Sequence, residues 1–139
     1  MSSVMSMMGG HGSDPRAQLD EGLVLEDEAN ALNRVPVEAS TLEERIVSVL
    51  RTVFDPEIPA NVYDLGLIYD LTVDTAGEVR LSVTLTSPGC PVADVLLKDI
   101  HNKVLNVAGV ARVRTTLVWD PPWSPDRMTD AARLELGWI

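Results

Sequence analysis

Two stretches of strict alternation joined by four turn-forming residues constrain this chain more than any other feature. Leu67 to Val73 sets Leu67, Tyr69, Leu71 and Val73 against Ile68, Asp70 and Thr72, and Glu78 to Thr86 sets Val79, Leu81, Val83 and Leu85 against Glu78, Arg80, Ser82 and Thr84. A period of two marks a strand with one buried face. The link Asp74-Thr75-Ala76-Gly77 has room only for a turn. The pair is therefore expected to form an antiparallel hairpin with one covered and one wetter face.

The cover is legible on either side of the hairpin. Leu42, Ile46, Val49, Leu50 and Val53 recur at helical spacing and make one apolar stripe. Ser40 with Glu43, and Thr41 with Glu44, fit capping boxes, so the helix is expected to begin near Leu42 and to end at Asp55-Pro56. A second stripe, Val92, Val95, Leu96, Ile100, Val104 and Val107, follows Pro91 and is closed by Gly109. Val110 to Trp119 reads as a third strand, reached by a crossover long enough to be right-handed, and it can lie beside either earlier strand. Asp120-Pro121-Pro122-Trp123 breaks it, and Ser124-Pro125 reads as the cap and first residue of a short helix that stops at Gly137. The expected fold is α+β: a small three-stranded mixed sheet with packed helices, in the order α-β-β-α-β-α.

Ahead of these elements, residues 1–40 carry seven acidic and two basic residues, half of the net charge of -10. Residues 1–14 are rich in Met, Gly and Ser and show neither period, and Leu23, Val24, Leu25, Leu32 and Val35 are sparse. Residues 1–40 are accordingly expected to be a largely disordered acidic extension, and residues 41–139 the folded domain. The negative charge argues against nucleic acid as a partner. No apolar run approaches the length of a membrane helix, the N-terminus lacks the pattern of a signal peptide, and one cysteine cannot make an internal disulfide. A cytoplasmic, non-membrane protein is expected.

Chemistry concentrates at Cys90. Pro88-Gly89-Cys90-Pro91 sets it at a strand-to-helix turn, where helix amides favour a thiolate, although a lone cysteine is commonly a small buried apolar residue. A nucleophilic thiolate needs a base, yet His11 lies in the extension. His101 is eleven residues along the helix, about 16 Å away, and is expected to be packed or exposed. A thiol enzyme is thus the weakest reading. An iron-sulfur cluster takes about four ligands, so a chain with a single cysteine would share one, either across a symmetric dimer or with a partner or small thiol. No zinc-ligand spacing, phosphate loop or serine-hydrolase motif occurs. Asp55, Glu57 and Asp64 form an acidic loop suited to a hard cation, to a basic partner surface, or to the capping of turns. Trp119 is expected in the core, and Trp123, in a proline loop, as an exposed anchor for a partner.

Taken together, Asp55-Pro56-Glu57-Ile58-Pro59, the run VYDLGLIY from Val62 to Tyr69, TSPGCP from Thr86 to Pro91, WDPP from Trp119 to Pro122, Met128, and LELG from Leu134 to Gly137 form a recognisable set. In these motifs the chain resembles the SufT and PaaD-like family of iron-sulfur assembly proteins from about Leu42 to Ile139. The resemblance implies an α+β fold, a non-enzymatic role in cluster assembly or delivery to apoproteins, a functional cysteine at Cys90, and importance for Asp55 and Glu57. With the single cysteine, this leads to the expectation of a transient iron-sulfur cluster ligated by Cys90, with the acidic loop of Asp55, Glu57 and Asp64 shaping or flanking the site, or of none in the isolated protein. SUF-type assembly or carrier proteins and client apoproteins are the implied partners, with a homodimer expected. PaaD-like members carry a further cysteine-rich segment that is not found here, which favours the SufT-like branch. An adapter that recruits clients to a separate carrier without binding metal is the alternative.

Overall fold

The computed structural model describes residues 23–33, 37–86 and 93–137. Along them run β1 (Val24–Glu28), α1 (Ala39–Leu50), β2 (Ile68–Val73), β3 (Glu78–Val83), α2 (Ala93–Leu105), β4 (Arg112–Leu117) and α3 (Asp130–Glu135), with single 3-10 turns at Ala31–Asn33 and Pro125–Arg127. The hairpin forms as its alternation requires, with Leu71 opposite Leu81 and Val73 opposite Val79. Val79, Leu81 and Val83 point into the core, while Arg80 and Glu78 stay in water. The register shifts between Ile68 and Asp70, so Tyr69 is an extra residue and Ile68 joins Leu71 and Val73 on the inner face.

The order across the sheet is β1-β4-β3-β2, with β3 and β4 parallel and both outer pairs antiparallel. The strand after the crossover therefore lies beside β3. Helix α1 packs on α2 and β2, and α2 on β4 and β1, so both cover the inner face of the sheet and bury Leu42, Ile46, Leu50, Leu97, Ile100 and Val104 against it. The Arg-bearing outer face is open to solvent.

The structure corrects the expected sheet: it has four strands, not three, and the chain order gains a strand at its start. The added strand, Val24–Glu28, lies in the acidic segment before residue 40. It docks by complementarity that a hydrophobic pattern cannot report. Glu28 and Glu26 meet Arg112 at 2.6 and 3.7 Å, and Asp27 meets His101 at 2.7 Å. The capping boxes do not form either. The first helix starts at Ala39 with Glu38 as its N-cap and no side-chain cap bond, which leaves Ser40 and Thr41 inside the first turn. The last helix is split. Ser124-Pro125 opens only a 3-10 turn, the backbone is extended at Met128 so that its side chain is buried, and α3 restarts with Thr129 Oγ1 accepting from the Ala132 amide at 3.2 Å.

Candidate functional site

Between α1 and β2 the chain doubles back on itself. Val62 donates to the Val53 carbonyl at 2.8 Å, Asp55 to the Ala60 carbonyl at 3.2 Å, and Phe54 bridges Asn61. Asp55 organises this turn from within. It is 7% exposed, and its Oδ1 accepts from the amides of Glu57 at 2.7 Å and Ile58 at 2.9 Å. This is the Asx geometry that makes aspartate a turn residue. Its other oxygen, Oδ2, accepts from Thr86 Oγ1 across 3.5 Å. The acidic loop thereby touches the segment after β3 that leads into residues 87–92.

The C-terminal segment closes over the next stretch of the loop. Trp123 Nε1 donates to the Leu65 carbonyl at 2.7 Å, Tyr69 Oη to the Pro121 carbonyl at 2.8 Å, and the Thr129 amide to the Asp64 carbonyl at 2.9 Å. The Arg127 guanidinium stacks 4.4 Å above the Tyr69 ring, within cation-π range. Gly66, at φ +80°, faces the Arg127 carbonyl so closely that a Cβ would collide with it. Two motifs more than 50 residues apart are thus one packed unit.

The acidic residues separate by role in this setting. Asp64 is committed to the loop, accepting from Asn61 Nδ2 at 2.9 Å and facing Arg51 Nε at 3.6 Å, while the Glu57 side chain is exposed. Among the described residues, no group of three or more His, Cys, Asp or Glu side chains gathers as a metal site. Cys90, the expected ligand, and Trp138 lie outside the described residues. Trp119 packs partly buried against the core. Trp123, expected as an exposed anchor, is half-buried against the core with its N–H satisfied internally. The exposed apolar surface beside the loop is instead a groove of about 510 Å³ between Phe54 and Pro56 on one side and Val95 and Leu96 on α2.

His101 is packed, one of the two states expected for it. It is 2% exposed, with Nδ1 2.8 Å from Thr115 Oγ1 and Nε2 2.7 Å from Asp27 Oδ2. Sequence reasoning missed Asp27 and Thr115 as its partners, since no spacing rule links His101 to residues 74 and 14 positions away. Thr86 was visible only as part of the TSPGCP motif.

With this geometry in view, the comparisons with known proteins are specific. A family model described as iron-sulfur cluster assembly protein matches residues 43–115. A Porphyromonas gingivalis protein named as an Fe-S protein maturation auxiliary factor is 52% identical over 97 residues, 70% of this chain and 92% of that protein. The Fe-S protein maturation auxiliary factor SufT of Staphylococcus aureus is 33% identical, over 61% of this chain and 97% of its own length. The crystal structure of a domain of unknown function, DUF59, from Bacillus anthracis superposes with a TM-score of 0.64 at 36% identity, covering 79% of this chain and all of that one.

Proposed function

Because the chain belongs to the iron-sulfur cluster assembly protein family, we propose that it is a non-enzymatic maturation factor that helps assemble iron-sulfur clusters or deliver them to apoproteins, with Cys90 as cluster ligand or transfer thiol. What carries this reading is the match to the iron-sulfur cluster assembly family over residues 43–115, to which the structure adds a long contact, 3.5 Å, between Asp55 and Thr86. It ties the acidic loop to the chain just before the cysteine, which follows Thr86 by four residues. Asp55 fastens the loop by accepting from two of its amides, and Glu57 presents its carboxylate to solvent beside it.

One thiolate per chain falls short of the roughly four ligands a cluster takes. The cluster is therefore shared cargo, held between two copies in a homodimer or between this protein and a SUF-type carrier or client. Sharing suits transfer, because a ligand set completed by the partner is passed on when the partner exchanges.

The test is anaerobic reconstitution of wild type and Cys90→Ser with iron and sulfide, read by visible absorption, iron per chain and mass in solution. Cluster absorption in the wild type alone, on a dimer or a mixed complex, is the expected result. Equal iron in both proteins overturns the role of Cys90. A second reading, an adapter that recruits clients to a separate carrier, draws on the exposed groove at Phe54 and Val95. It predicts no iron in either protein and client complexes that survive Cys90→Ser.

A further inference from the structure

Strand β1 sits on the sheet unlike its neighbours. None of its five residues is buried, and Glu26, Asp27 and Glu28 are three consecutive acids on the outer edge of a sheet. Its apolar hold is limited to Leu25 and the adjoining Leu23, both only partly buried against the core, and its other side-chain contacts are polar. Glu26 and Glu28 stand opposite Arg114 and Arg112 in register, and Arg112 bonds Glu28 at 2.6 Å. That hydrogen bond, with the charge behind it, keeps the Arg112 guanidinium more firmly protonated than usual. On the inner face Asp27 accepts from the buried His101.

Removing β1 in thought uncovers a strip with its own chemistry. β4 becomes the edge, with Arg112 and Arg114 on the outer face beside Arg80, against one nearby acid, Glu78. On the inner face the His101 Nε2 loses its carboxylate. In a chain of net charge -10 this is a local cationic edge, and an unpaired strand edge accepts an added strand. The hinge for such a movement is in place. Asn33, just beyond β1, donates from Nδ2 to the carbonyls of Val107 and Val110 at 2.7 and 3.1 Å and accepts from the Gly109 amide at 2.9 Å. The strand is pinned behind its C-terminal end, and lifting its Val24 end withdraws only Leu23 and Leu25, both partly buried, from the edge of the core.

We propose that β1 is an exchangeable strand: the β4 edge beneath it is a strand-addition site for an extended acidic segment of a protein partner, and the chain's own Val24–Glu28 fills that site when no partner is bound. Specificity follows from the faces. Two outward carboxylates match Arg112 and Arg114, and one inward carboxylate between them replaces Asp27 at His101. The lifting end lies at the same end of the sheet as Val83 and Leu117, where β3 runs out toward the cysteine segment. Strand exchange of this kind is independent of cluster chemistry and needs no metal.

The experiment uses the full chain with Glu26→Lys/Glu28→Lys, which sets like charges against Arg112 and Arg114 and lifts β1. A fluorescein-labelled peptide, GLVLEDEAN, and its charge-reversed form, GLVLKKKAN, are titrated by anisotropy, and backbone amide exchange is followed in parallel. The acidic peptide is expected to bind the double variant at least about tenfold more tightly than it binds wild type, with the basic peptide failing on both. If the folded variant binds the two peptides equally, or neither, the site is not one for acidic strands. Should the variant not fold, wild type still decides. The Leu117 amide, which donates to Leu23, is expected to exchange at least about tenfold faster than the Val118 amide, which donates to Val83. Equal rates overturn the exchangeable strand.

Discussion

Trp123 reaches across 58 residues of sequence to place its indole N–H 2.7 Å from the carbonyl oxygen of Leu65. That one bond joins the WDPP segment to the VYDLGLIY segment, and the pairs Tyr69 with Pro121 and Thr129 with Asp64 complete the clasp. The acidic loop is therefore held from both sides: Asp55 fastens it internally, and the C-terminal segment presses it onto the core.

Trp123→Phe keeps most of the packing and removes the donor. Leaving the Leu65 carbonyl without its partner is expected to cost about 1–2 kcal/mol. Urea unfolding checks this, with a fall in midpoint at unchanged slope as the expected result.

Gly66 and Gly137 separate conformation from collision. Both have positive φ, +80° and +76°, but a Cβ at Gly66 meets the Arg127 backbone whereas one at Gly137 meets nothing within 4 Å. Gly137→Ala is expected to cost about 1 kcal/mol for the left-handed conformation alone. Gly66→Ala should exceed it by about 2 kcal/mol or more, because backbone must shift. Parallel thermal melts of the two variants decide, and equal losses would contradict the packing at Gly66.

At Asp55 the acceptor matters more than the charge for the loop itself. Asp55→Ala strips the Glu57 and Ile58 amides of their acceptor and is expected to destabilise by about 2 kcal/mol. Asp55→Asn keeps Oδ1 and should lose less than half as much. A variant that is stable as Asn yet defective in cluster delivery in cells would assign the negative charge to function rather than to folding.

Thr84 carries a fully buried hydroxyl with no hydrogen-bond partner among the described residues. Thr84→Val preserves shape and removes that group, so stability is expected to be unchanged or to rise by up to about 1 kcal/mol. A loss above about 1 kcal/mol in denaturant unfolding would reveal a partner for the hydroxyl.

The sequence by itself determined the hairpin, both long helices, the strand after the crossover and the turn character of the 55–66 loop. These rest on periods of two and 3.6 residues, or on turn-forming residues, and so are written within short windows. The family motifs, likewise contiguous, are legible in the sequence and resemble those of iron-sulfur assembly proteins. Only the tertiary structure decided that β4 lies beside β3, that Val24–Glu28 completes the sheet, that Trp123 faces inward, and that Asp27 and Thr115 are the partners of His101. Each joins residues that are not neighbours in sequence, through a backbone ladder, a side-chain hydrogen bond or an ion pair, and such pairing leaves no period in either segment. The capping boxes are a local signal that did not decide the helix start: α1 begins at Ala39 with Glu38 at its N-cap, and Ser40 and Thr41 lie inside the first turn.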